Sequence, residues 1–268
     1  MKTFVALLLV AHCASAKIWE GSCGQLGSKR IVGGNDATAH SWPWQASLQQ
    51  STWWSSGHIC GATLVHPQWA ITAAHCVEGS SRNDLQVVFG EHDRTTATGR
   101  EVTSQIQAII QHENYDQNGD GFPYDIALLK LSEPVPLGRY IQPACMPKSS
   151  NQVFLNEECW ISGWGSTQGG NDNSVLQELQ IPVRTNSECA NSWGANYIDD
   201  FHICIGNGDI GACNGDSGGP LQCNINGEWV LAGATSWGYS GCTTRGYPNV
   251  YARISFFLDW IENKVANN

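Results

Sequence analysis

Between residues 31 and 255 the apolar residues come in short runs, each broken within a few positions by Gly, Pro, Asn or Ser. Leu85-Gln86-Val87-Val88-Phe89, Ile126 to Leu131 and Trp229-Val230-Leu231-Ala232-Gly233 are examples. Runs that short do not support long amphipathic helices; the pattern is that of many antiparallel strands joined by turns. Helical periodicity is absent until the end. There Ile254, Phe257, Leu258 and Ile261 recur at i, i+3, i+4, i+7 and predict one C-terminal helix, with Ser255 near its start. The residues alone therefore indicate an all-β chain, a barrel or a sandwich.

The first residues read as an export signal: Lys2, an apolar stretch from Phe4 to Val10, and a small-residue cleavage site at Ala14-Ser15-Ala16. That stretch is far shorter than the about 20 residues a membrane span needs. The charge and cleavage pattern favours a signal over a buried N-terminal helix. The length after Ala16 suits one large or two small domains. Of eleven cysteines, Cys13 falls in the signal, leaving an even number suited to disulfides in an oxidising compartment. No Cys-x₂-Cys pair supports the alternative of a thiolate zinc site. Lys2, Lys17, Lys29 and Arg30 stand against Glu20 in the first thirty residues, so the remainder carries ten basic and twenty-three acidic side chains, a net charge of −13. Such a surface repels nucleic acid and anionic membranes, and neither is expected as a partner. There is no Asn-x-Ser/Thr glycosylation acceptor.

Four motifs carry the chemistry. Gly215-Asp216-Ser217-Gly218-Gly219-Pro220-Leu221 holds a serine on a glycine-rich loop, where positive φ is tolerated and a substrate backbone can approach closely. Thr72-Ala73-Ala74-His75-Cys76 and Asp125-Ile126-Ala127-Leu128-Leu129 lie upstream, in the chain order His, Asp, Ser. Ile31-Val32-Gly33-Gly34 follows the basic pair Lys29-Arg30. Each has a plainer reading: Ser217 as a turn serine, His75 as a structural histidine, Asp125 as a loop acid capping the next strand. Taken together, from about Cys23 to the C-terminus, the chain resembles the chymotrypsin-like serine endopeptidases. In its features it is most similar to chymotrypsins and pancreatic chymotrypsin-like elastases.

The resemblance implies an all-β fold of two packed six-stranded antiparallel β-barrels with a C-terminal α-helix. The first barrel would cover about 46–134 and carry His75 and Asp125; the second, about 150–253, would carry Ser217; the helix would span about 254–266. Pro134-Val135-Pro136-Leu137-Gly138 looks like the start of the connection, since Pro is unsuited to central strands. By the same resemblance Ser217 is the nucleophile, His75 the general base and acid, and Asp125 the orienter of the imidazole. The N–H groups of Gly215 and Ser217 would form the oxyanion hole. The implied disulfides are Cys23–Cys145, Cys60–Cys76, Cys159–Cys223, Cys189–Cys204 and Cys213–Cys242. His58, with Ser47, would either hold Asp216 in an inactive precursor or serve plain packing. The other histidines, His12, His40, His66, His92, His112 and His202, read as surface or core residues. A non-catalytic homologue on the same fold is disfavoured by the intact triad and the acidic surface.

Residues 1–16 are thus expected to be a signal peptide, 17–30 an activation propeptide and 31–268 the protease domain. Cleavage after Arg30 by a trypsin-like protease, or by a dibasic-directed convertase, would free an α-amino group on Ile31 to pair with Asp216. The propeptide would stay attached through Cys23–Cys145. The substrate pocket would be lined by Gly211, Ala212, Asn214, Ser236, Trp237, Gly238 and Asn249. Gly211 stands where trypsins carry aspartate, so a buried Lys or Arg would lack a partner. Asn249 raises a floor that chymotrypsins leave to glycine, and the loops Gln49–Gly57 and Asn118–Tyr124 look more like elastases. Cleavage is expected after Leu, Met, Tyr or Phe, with Ala or Val as the alternative. No cofactor is required. By the resemblance Glu91 and Glu101, with backbone carbonyls near Asp93 and Thr96, match a structural calcium loop, the alternative being two solvated loop acids. The expected protein is a secreted, monomeric digestive enzyme that acts on proteins and peptides and meets protein inhibitors.

Overall fold

The computed structural model describes residues 21–27, 35–51, 56–166, 174–239, 242 and 244–268. The signal peptide, Arg30 and Ile31 lie outside these residues. Six antiparallel strands close a first barrel in the order β2-β3-β4-β7-β6-β5: β2 (Gln45–Ser51), β3 (Ser56–His66), β4 (Trp69–Thr72), β5 (Leu85–Phe89), β6 (Val102–Gln111) and β7 (Ala127–Leu131). The second, barrel-like half is an eight-stranded antiparallel sheet, β1-β9-β8-β12-β13-β14-β11-β10, and not the six-stranded one expected. Its longer strands are β8 (Glu158–Gly163), β9 (Gln177–Gln180), β11 (His202–Ile205), β12 (Pro220–Ile225), β13 (Glu228–Trp237) and β14 (Asn249–Arg253). Two-residue strands, β1 (Asn35–Asp36) and β10 (Val183–Arg184), extend its ends.

Sequence and structure differ at four further places. Gln49, Gln50, Ser51, Ser56 and Gly57 are paired hairpin rather than loop, with Gln49 opposite His58 and Ser51 opposite Ser56. A helix without a long apolar stripe, α1 (Asn186–Trp193), interrupts the second barrel; its start is marked by a Thr185/Glu188 capping box. The C-terminal helix α2 (Leu258–Asn267) begins four residues later than the apolar spacing predicts. Ile254 and Phe257 are buried in a turn before it, so their spacing reflects core contact and not helix. Ser255 is fully buried and does not cap α2, whose N-cap position is Phe257.

All five implied disulfides are formed. Cys23–Cys145 joins residues 122 apart in sequence. Around it Gly24 N donates to Pro143 O and Trp229 N donates to Gly24 O, so the stretch around Gly24 lies against the second barrel. A buried polar chain joins the barrels: Trp44 Nε1 donates to Gln222 Oε1, Gln222 Nε2 to Ser162 Oγ, and Ser162 Oγ to Gln45 Oε1. Each group is satisfied, so the seam avoids the cost of an unpaired buried dipole. Trp42 packs edge-on against Trp44 and Trp229, placing indoles from both halves in one core. α2 docks on the first barrel through Trp260 Nε1 to Glu113 and the Lys264–Glu113 ion pair. No helix among the described residues is long and apolar enough to cross a membrane.

Candidate active site

Strand register brings His75 and Asp125 together. β4 and β7 pair with Thr72 opposite Ala127, so the turn after β4 faces the residues before β7. That turn is a 3₁₀ segment, Ala74–Cys76, tied to β3 by Cys60–Cys76. His75 Nδ1 lies 2.7 Å from Asp125 Oδ2, and His75 N–H donates to Asp125 Oδ1 at 2.9 Å. The Asp125 side chain is 1% exposed and that of His75 28%. Burial alone would lower the imidazole pKa. The Asp125 hydrogen bond and charge, with the charge of Glu78, outweigh it and hold His75 above the ordinary 6.5. Cys60 and Cys76 flank His75, but both sulfurs are in the disulfide and are not free thiolates for a metal.

Ser217 is held beside this pair by backbone. Gly61 N–H donates to Ser217 O at 2.7 Å. The next residue, Gly218, has φ +73, and a Cβ there would sit 2.1 Å from Thr72 Oγ1 and 2.9 Å from Ala73 N. Only glycine allows the serine loop to approach the histidine turn that closely. Ser217 Oγ has no hydrogen-bond partner among the described residues. The amides around it divide into two sets. Asp216 N–H donates to Cys213 O, Gly218 N–H to Thr235 O and Gly219 N–H to Asp216 O. Those of Gly215 and Ser217 donate to nothing among the described residues, and Gly215 adopts φ +95. Two amide donors on this tight loop are therefore left unspent.

The loop is braced from both sides. Asp216 accepts Gly165 N–H and Cys213 N–H, each at 2.9 Å. His58 Nε2–H donates to Gly215 O at 2.9 Å, and its Nδ1 takes the Ser47 hydroxyl at 2.8 Å. The expected Ser47–His58 pair thus forms, and in this conformation it steadies the residue before Asp216.

Of the residues expected to line a pocket, Gly211, Ala212 and Gly238 are brought together around Asn249. Asn249 is 5% exposed and spans between two glycines. Its Oδ1 lies 1.7 Å from where a Gly211 Cβ would be, and its Nδ2 lies 2.7 Å from the corresponding point at Gly238. Nδ2 donates to Ala212 O at 3.5 Å, while Oδ1 is buried without a partner. Asn214 is exposed and its carbonyl accepts Ser166 N–H. β12 pairs with β13 only as far as Ala234, so Ser236 to Gly238 is open on that side, as strand addition requires. The Ser236 hydroxyl turns inward to Asp125, a contact the motifs do not announce.

The acidic loop between β5 and β6 is largely self-satisfied. Burial would raise Glu101, but hydrogen bonds from Thr98 and nearby backbone outweigh it and hold the carboxyl at about 2. Asp93 Oδ1 caps Thr95, and Asp93 O accepts Thr96 N–H. Glu91 makes no hydrogen bond among the described residues. Burial first, then the charge of Glu101, push it up to about 7. The donor set fits a calcium ion only in part, through Glu91.

The trypsin family model, described as Trypsin, matches residues 31–261. The chain belongs to the trypsin family. It is a serine endopeptidase. Among this trypsin-family chain's relatives, Trypsin-1 of Astacus astacus is 41% identical over 238 residues, spanning 87% of this chain and 98% of its own length. Chymotrypsin-like elastase family member 1 of Canis lupus familiaris is 38% identical over 244 residues, spanning 89% and 93%. Two relatives with different names match almost equally, so identity does not choose a substrate preference for this trypsin-family protein.

Proposed function

We propose that the protein is a secreted endopeptidase, made as a zymogen, that cleaves after medium to large uncharged residues through Ser217, His75 and Asp125. The observation that carries this reading is the pair of unspent amides at Gly215 and Ser217 beside the His75–Asp125 hydrogen bond. In the reaction Ser217 Oγ attacks the scissile carbonyl and His75 Nε2 takes its proton. The carbonyl oxygen becomes an oxyanion and accepts the Gly215 and Ser217 N–H groups; removing one such donor costs roughly 10²–10³ in rate. His75 then protonates the leaving amine as the C–N bond breaks, leaving an acyl-enzyme. Water repeats the sequence, and the acid product leaves with Ser217 restored. Asp125 holds the Nδ1–H tautomer and stabilises the imidazolium.

Cleavage after Arg30 would free the Ile31 ammonium to pair with Asp216, whose carboxylate lies against Gly163 and Gly165. The family match beginning at Ile31 supports this boundary. A trypsin-like protease is the activator this scheme calls for. The Asn249 side chain between Gly211 and Gly238 also favours a second reading, cleavage after Ala or Val. A signal peptide, digestive use, a monomeric state and protein inhibitors belong to the same proposal. Calcium enters no step. The test is cleavage of a peptide library by trypsin-treated protein, with the activating protease inhibited. Cuts after Leu, Met, Tyr and Phe are expected, cuts after Ala and Val support the second reading, and cuts after Arg or Lys overturn both.

A further inference from the structure

The sequence alone leaves His202 among surface or core residues, yet both of its ring nitrogens are engaged. It opens β11 and is 2% exposed. Nδ1 accepts Asp199 N–H at 3.1 Å, which places the ring proton on Nε2, and Nε2–H donates to Gly121 O at 2.8 Å. The ring stands edge-on to Trp237, with centroids 6.0 Å apart and planes at 83°. One imidazole therefore joins the start of β11, the indole of the open strand and a carbonyl four residues before Asp125. Burial dominates its titration and keeps it neutral, with a pKa of about 4.

The loop it holds is under constraint. Gly121, Phe122 and Tyr124 have φ of +74, +50 and +57. Phenylalanine and tyrosine rarely adopt that region without outside support. A Cβ on Gly121 would lie 2.2 Å from Tyr197 O, so the loop is pressed onto the second barrel. Phe122 remains 40% exposed at the loop's tip. Asp125 has anchors of its own in His75 and Ser236, whereas Gly121 reaches the second barrel through His202.

We propose that His202 is a positioning residue for extended substrates: through Gly121 O it holds the loop Gly121 to Tyr124 beside Trp237, at the edge of the open strand Ser236 to Gly238 that would take residues upstream of the scissile bond. The inference rests on the assignment of Ser217, His75 and the Ser236–Gly238 strand made above.

The test compares a single-residue ester with a tetrapeptide amide of the same P1 residue, using activated protein normalised by its ester burst. For His202→Phe, KM on the tetrapeptide rises about tenfold, with kcat and ester turnover changed less than about threefold, as expected of lost positioning. His202→Gln, whose amide reaches the place of Nε2, restores the tetrapeptide KM. His202→Asn, which keeps only the Asp199 contact, does not. If His202→Phe fails to fold, the Gln and Asn pair decides alone. Equal losses on both substrates, or Gln no better than Asn, overturn the proposal. A wild type without an ester burst instead overturns the Ser217 assignment, and this inference falls with it.

Discussion

The Ser236 hydroxyl donates to Asp125 Oδ2 across 2.5 Å, to the same oxygen that holds His75 Nδ1. The strand open to a substrate backbone is thereby tied to the carboxylate that orients the base. Ser236→Ala should remove one of three donors to Asp125. Since an ordinary net hydrogen bond is worth about 0.5–1.5 kcal/mol, kcat/KM should fall about 2–10-fold. Steady-state kinetics on a peptide amide checks this; an unchanged rate would mean that the two His75 contacts suffice.

The base must be neutral to accept the Ser217 proton, so activity is lost as pH falls through the His75 pKa. That pKa is raised, which puts the acid limb of kcat/KM above pH 6.5. Glu78 contributes to the elevation, and Tyr115 hydroxyl donates to Glu78 Oε2 at 3.3 Å. Glu78→Gln should move the limb to lower pH, since the charge it removes favours the imidazolium. A shift to higher pH would contradict the assignment of His75 as the base.

Glu91 keeps its proton up to about pH 7 when folded, against 4.5 for the ordinary group. Its folded pKa is raised, so stability is lost as pH climbs from 4.5 through 7 and the unfolded chain ionises first. Glu91→Gln should therefore raise Tm at pH 8 in EDTA and leave it nearly unchanged at pH 4. Millimolar calcium should raise the wild-type Tm at pH 8 and not that of the variant. Calcium-independent melting of the wild type would remove the metal from the account.

Asn249 fills the space between Gly211 and Gly238. Asn249→Gly should open the floor and improve kcat/KM for Phe, Tyr and Trp substrates by about 1–3 kcal/mol, the range for added apolar burial in a pocket. A matched set of P1-varied substrates measures it; an unchanged preference means that the floor lies elsewhere.

Much of this was legible in the residues because the chemistry is local. The serine, histidine and aspartate each sit in a contiguous motif, and the strands Leu85–Phe89 and Ala127–Leu131 show as short apolar runs. Two-residue β1 has no pattern long enough to read, and it pairs with β9 through residues more than a hundred positions away. α1 buries only Cys189, so it carries no apolar stripe, and the Thr185/Glu188 capping box was its one local sign. The turn residues Ile254 and Phe257 mimic helical spacing because both point into the core. His202 lies in no motif. Its bond to Gly121 spans 81 positions, and only the folded chain brings the two together.

The most direct measurement is stoichiometric labelling with a serine-directed phosphonylating reagent after activation by trypsin. Intact-protein and peptide mass spectrometry should find one phosphonyl group per molecule, on Ser217, with loss of all amidase activity and no labelling of His75→Ala. An activated sample that remains unlabelled at Ser217, or that is fully labelled elsewhere and loses activity, would contradict the account.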